Sequence, residues 1–187
     1  MEGTETKQQE VTDQKEFTVE LPAKTDKEEK VDYTKFYVKP HKKVSEPVTE
    51  KNLDRLLKDA VTMLRMCGTP HGRFPSAFAI AHAQMDDKEP LRFFVTFEGE
   101  LIINPVIVRH TRHTIVSDEG CMTYPFGPLM SVPRWNKCEV EYQTLDDDDK
   151  LTEIKKKNLS GKDSKVWQHE IDHMDGIYIY DRIEQSK

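Results

Sequence analysis

No run in this 187-residue sequence approaches the roughly 20 consecutive apolar residues that a membrane-spanning helix needs. The N-terminus has neither the apolar centre of a secretion signal nor the arginine-rich, acid-poor make-up of an organelle import sequence, so no membrane and no secreted role is expected. Positive charge is not in excess either. Lys and Arg number 28 against 34 Asp and Glu, a net charge of −6, which argues against a nucleic-acid partner held by a basic surface. Cysteine is scarce: Cys67, Cys121 and Cys138 are three in number and far apart, which fits a reducing compartment better than a disulfide framework. No internal repeat is visible, and the length suits one domain with a tail.

From Met1 to Lys30 there are nine acidic and five basic residues but only six apolar ones, too few to offset the entropy of ordering. Residues 1–35 are therefore expected to be a disordered acidic tail and 36–187 the domain. Thr49 can cap a helix whose Leu53, Leu56, Leu57, Ala60, Val61 and Leu64 recur at helical spacing, with a stop at Gly68. A loop through Gly72 and Pro75 leads to the apolar run 77–81. Strands are predicted at Arg92 to Phe97, Leu101 to Ile103, Val106 to Val108 and Glu139 to Tyr142, the middle two parted by the turn signal Asn104-Pro105. The acids 146–149 and the lysines 155–157 read as an exposed connection. A second helix should start between Ser160 and Asp163 and end at Gly176, with Ile177-Tyr178-Ile179-Tyr180 as a short final strand.

The most informative segment is Gln168-His169-Glu170-Ile171-Asp172-His173. Histidines four apart on a helix point the same way and can grip one metal ion, and Glu170 is placed as a base. A zinc protease of the familiar kind takes its third ligand downstream, yet only 14 residues follow His173 and none is histidine. The third ligand must lie upstream. Cys121 is the leading candidate, because Gly120 before it lets the backbone come close and leaves the next N–H free to donate. Its alternative is a buried structural thiol, which is the reading for Cys67 and Cys138.

With Glu119-Gly120-Cys121-Met122-Thr123 and Gln168 to Gly176 in this order, the chain resembles the peptide deformylases. Ile102 to Ile107, Val132-Pro133-Arg134 and Tyr180-Asp181-Arg182 agree with the same family. The resemblance implies an α+β fold with antiparallel sheets packed around a central metal-binding helix. It implies one divalent ion, Fe(II) first, with Zn(II), Ni(II) or Co(II) as replacements, on Cys121, His169 and His173. Glu170 would serve as base and then acid, and the backbone N–H of Met122 and the amide of Gln84 would meet the developing oxyanion. Glu119 and Arg134 would pair behind the metal, with Gln168 and Asp172 orienting its helix; a surface carboxylate is the alternative for Asp172. The implied reaction releases formate from N-formyl-methionyl peptides or nascent chains, near the ribosome exit, in the cytoplasm or in an organelle such as the mitochondrion.

Two departures bear on substrate. The family's first motif, G-x-G-x-A-A-x-Q, stands here as Ala77 to Gln84 with both glycines replaced by Ala77 and Ala79, and the added methyl groups would reshape the peptide groove. His82 in that stretch faces the Gln84 side if the chain is extended, and is otherwise a packed or solvent-facing histidine. On the metal helix, Lys165 and Lys162 lie four and seven residues before His169, where the family has apolar side chains. With Phe78 and Val166 these residues make up the expected peptide-binding set. Either the lysine stems line the pocket while their charges reach water, or the charges point inward, so that formyl-methionine would bind poorly and an acidic or otherwise polar substrate would suit. Three functions stay open: an active deformylase, a metal-binding relative with altered specificity or lost activity, and a different metallohydrolase or interaction module.

Overall fold

A computed structural model of the chain describes residues 39–67, 78–124 and 127–185. The expected tail and Ala77 lie outside the described residues. Helix α1, Leu53–Cys67, follows a short 3-10 turn at Glu50–Asn52. Thr49 caps that turn as its spacing predicts: the side chain of Asn52 accepts the Thr49 N–H at 2.8 Å, and Thr49 Oγ1 accepts from Lys51. The strands are β1 (Ala79–Ala81), β2 (Phe93–Thr96), β3 (Leu101–His110), β4 (Thr114–Glu119), β5 (Met130–Trp135), β6 (Lys137–Gln143) and β7 (Lys155–Ser160). Helices α2 (Gly161–Met174) and α3 (Ile179–Gln185) complete the chain. Five strands form one antiparallel sheet in the order β1-β2-β3-β6-β7, and β4 pairs with β5 apart from it. The class is α+β.

The alternation of side chains along a strand divides the apolar runs between two helices. Ile80, Phe93, Val95, Leu101 and Ile103 pack with Leu56, Met63 and Leu64 of α1. Their neighbours Ala79, Ala81, Phe94 and Ile102 point the other way, onto Trp167, Ile171 and Met174 of α2. Burial on both faces is why these segments read as continuous apolar runs rather than as alternation. A third, smaller cluster joins Cys121, Val132 of β5 and Ile179 of α3.

Several expectations are corrected. Leu101 to Ile103 and Val106 to Val108 are one strand, β3, not two. Asn104 takes a left-handed φ of 51° and the register slips there, so the Asn-Pro signal marks a bulge. The Asn104 side chain also accepts from the Val48 N–H at 2.8 Å and donates to the Val48 carbonyl at 2.9 Å, which holds the kink within the sheet. The lysines 155–157 belong to edge strand β7, where Lys156 finds Glu141 at 2.8 Å across the ladder and Lys157 lies 3.6 Å from Glu100. Ile177 to Tyr180 is not a strand: Asp181 accepts the Tyr178 N–H at 2.8 Å, and the chain turns into α3. β4 and β5 were not anticipated at all.

Gly176 stops α2 at a φ of 69°, and a Cβ there would meet the Lys42 carbonyl carbon and oxygen at 2.8 Å. Gly161 has a similar φ of 56° with nothing within 4 Å of its Cβ position. Urea denaturation should therefore show Gly161→Ala costing about 1 kcal/mol for conformation alone, and Gly176→Ala about 3 kcal/mol or more, the excess being the collision with residue 42.

Candidate active site

On α2, His169 and His173 bring their Nε2 atoms to 3.1 Å of one another, as the four-residue spacing requires. Cys121 comes two residues after the end of β4, which sets its Sγ 3.3 Å from His173 Nε2. One donor atom from each of the three lies within 4.8 Å of the others. Burial alone would raise the Cys121 thiol, but the His173 charge and hydrogen bonds with both histidines hold it well below its usual range. Burial would likewise depress His169, yet bonds to Cys121 and Glu119 lift it to about 10. A thiolate and two imidazoles converging on one buried point suit a divalent transition ion that keeps an open position. The negative charge concentrated on Cys121 and Glu119 is of the kind such an ion neutralises, so the residues fit one.

Behind the donors runs a continuous buried network. Glu119 Oε2 lies 3.0 Å from His169 Nδ1, which fixes the ring so that Nε2 faces the cysteine. Arg134 of β5 donates to both Glu119 oxygens at 2.9 Å, and its other amino group donates to Asp172. Arg182 of α3 also donates to both Asp172 oxygens. Glu119, Arg134 and Asp172 are all buried, so the surface alternative for Asp172 does not hold. Burial pushes the Glu119 carboxyl up, but the bonds from His169 and Arg134 prevail and bring it down to about 2. Gln168 does the orienting work expected of it: its amide takes the Trp135 N–H and donates to the Trp135 carbonyl, both at 2.9 Å, tying α2 to β5.

Glu170 sits beside His169, buried, and its Oε2 has no hydrogen-bond partner among the described residues. Burial raises its carboxyl pKa, the two histidines pull it back, and the Cys121 charge adds to the rise. Gln84 is buried at the end of a 3-10 turn, His82–Gln84, rather than on an extended strand. Its carbonyl accepts the Ala81 N–H at 3.0 Å, and its amino group donates to Thr123 Oγ1 at 3.1 Å with Cys121 Sγ at 4.0 Å. The same turn sends His82 away from the site. His82 Nε2 lies 3.2 Å from Asp59, Nδ1 accepts the Leu91 N–H, and the ring stacks on Phe93, so it is the packed histidine of the two readings. Cys67 and Cys138 are buried, and burial raises both thiols, Cys67 to about 12.

Above the donors opens a cavity of about 490 Å³. Every expected site residue that the structure describes lies at it or directly behind it. Gln84, Met122, Cys121, His169 and Glu170 line it, together with Phe78, Ala79, Lys162, Lys165 and Val166. Sequence reasoning missed Tyr124 and Leu129 on its wall, and Arg182 behind it. Leu129 precedes a strand that the sequence pattern does not announce, and Arg182 follows a segment that reads as extended; neither carries a sequence signal for its position. Among the described residues no helix is long and apolar enough to cross a membrane.

A protein-family model described as polypeptide deformylase matches residues 39–187. A peptide deformylase of Thermotoga neapolitana is 33% identical over 99 residues, 51% of this chain and 57% of that protein. The chloroplastic peptide deformylase 1B of Oryza sativa subsp. japonica is 35% identical over 88 residues, 46% of this chain and 30% of that protein. The chain thus spans about half the length of these curated relatives, or less. The crystal structure of peptide deformylase from Thermotoga maritima superposes with a TM-score of 0.60 at 29% identity, covering 79% of this chain and 97% of that one. Since the family match runs from Lys39 to the last residue and takes in every strand, helix and donor described above, the chain belongs to the polypeptide deformylase family.

Proposed function

We propose that this protein is a metal-dependent amide hydrolase that removes the formyl group from N-formyl-methionyl peptides and releases formate. The observation that carries the reading is the buried Glu170 Oε2, without a hydrogen-bond partner among the described residues, beside three converging donors at one cavity. Cys121, His169 and His173 would hold the ion, Fe(II) first, with Zn(II), Ni(II) or Co(II) as replacements. When bound, a divalent ion would supply Lewis acidity, enough to bring the pKa of a water down to about 7.

The chain's own residues do the rest. Glu170, its pKa raised by burial, takes a proton from the attacking water and later delivers it to the leaving amine. Water's oxygen adds to the formyl carbon, the carbon–nitrogen bond breaks, and formate and a free N-terminus result. Gln84 Nε2, 4.0 Å from Cys121 Sγ, and the Met122 N–H would donate to the carbonyl oxygen as charge grows there. Glu119 holds the His169 ring in one tautomer throughout.

The partner would be an N-formylated peptide or nascent chain, in whichever compartment initiates on formyl-methionine, cytoplasm or organelle. Formate release from formyl-Met-Ala-Ser, with protein loaded with Fe(II) under anaerobic conditions, tests the reading. Stoichiometric formate and free peptide, abolished by a chelator, are expected. No formate from a protein carrying one ion per chain would overturn it.

A further inference from the structure

The cavity carries charge that the hydrolytic reading does not use. Lys162 and Lys165 both line it, Lys165 half-buried and Lys162 exposed. Neither takes part in an ion pair among the described residues. Of the carboxylates that line the cavity, Glu119 is engaged by Arg134 and His169, Asp118 accepts from the Ser131 hydroxyl at 2.8 Å, and Glu170 lies beside His169. The Lys162 ammonium lies 3.6 Å from the centroid of the Phe78 ring, which also lines the cavity and is 51% exposed.

The helix sets how far these charges stand from the chemistry. Lys165 and Lys162 precede His169 by four and seven residues, roughly 6 and 10 Å along the α2 axis. An extended peptide advances about 3.3 Å per residue, so one that ran along α2 from the donors would pass both lysines within its first three residues. Two unpaired cations over that span attract a carboxylate and repel an ammonium, in a partly desolvated groove where Coulomb energies exceed those in bulk water.

Building on the hydrolase reading, we infer that Lys162 and Lys165 form a carboxylate-reading subsite, so that formyl-methionyl peptides acidic at their second or third residue are preferred. The subsite selects; it takes no part in bond breaking. The preference is electrostatic, so salt weakens it.

The test is a panel of formyl-methionyl tripeptides in which Glu, Gln or Lys is placed in turn at positions two and three. Formate release is measured at low and at 0.5 M salt with wild type, the Lys162→Gln/Lys165→Gln pair and the Lys162→Glu/Lys165→Glu pair. Calorimetric binding of the same peptides to Glu170→Gln protein gives a readout independent of turnover. The Glu peptide at the preferred position should have a kcat/KM about tenfold above its Gln counterpart and further above its Lys counterpart. The glutamine pair should level the three peptides, and the glutamate pair should invert their order, all variants retaining the wild-type melting transition. Formate released equally from Glu, Gln and Lys peptides at every position would overturn the subsite and leave the hydrolase reading standing. No formate from any peptide, with lysine-dependent tighter binding of the Glu peptides, would overturn the hydrolase reading and uphold the subsite. Neither turnover nor charge-dependent binding would overturn both.

Discussion

Glu170→Gln should lower kcat/KM for formyl-Met-Ala-Ser by about 10²- to 10⁴-fold while the bound metal stays at one ion per chain. Glutamine keeps the shape and the packing, so the protein should melt as before. What it loses is the ability to accept a proton at Oε2, the atom with no hydrogen-bond partner among the described residues. Burial raises this carboxyl's pKa, which brings it nearer to that of an activated water and makes proton transfer in both directions easier at neutral pH. The checks are steady-state kinetics beside elemental analysis of the same preparation. A variant that keeps both its metal and its turnover would remove Glu170 from the mechanism.

The second large effect concerns stability. Arg134→Met should destabilise the protein by about 3–5 kcal/mol, because it leaves the Glu119 and Asp172 carboxylates buried without the cation between them. Asp172 would still have Arg182, whereas Glu119 would keep only His169. The His169 ring is positioned through Glu119, so metal affinity should fall as well, about 10- to 100-fold. Chemical denaturation and competitive chelation measure the two effects separately. A sharper check is non-additivity: Arg134→Met combined with Glu119→Gln and Asp172→Asn should cost less than the sum of the three single changes, since each deletion removes the reason for the others.

The metal donors were legible because a helix repeats every 3.6 residues and fixes the relation of His169 to His173, while Gly120-Cys121 matched a family motif. The partners behind them were legible in part. Glu119 and Arg134 sat in matching segments, but the Asp172 to Arg182 contact depends on α3, and the run Ile177 to Tyr180 has the β-branched and aromatic character of a strand. Asp181 turns that segment by accepting the Tyr178 N–H, a local hydrogen bond that outweighs intrinsic propensity. Asn104 shows the converse. Its turn character is real, yet bonds to Val48 and Gln143 absorb it into a bulge, and the strand continues. β7 was missed because lysines on an edge strand and lysines in a loop look alike until their cross-strand acids are known. His82 turned on a single backbone decision, the 3-10 turn at His82–Gln84, that no periodicity announced.

The five-stranded sheet has a consequence for how the protein can change over generations. Its two faces belong to two half-cores that share no side chain, one with α1 and one with α2. Substitutions that reshape Leu56, Met63 or Phe93 are absorbed on the far side of one backbone layer from the donors on α2, while Trp167, Ile171 and Met174 lie on the helix that carries them. Met122 is the site residue that leans on the α1 half. Drift is thus partitioned: one half of the interior is free to be rewritten for stability, temperature or partner, and the other is held still by the chemistry it supports.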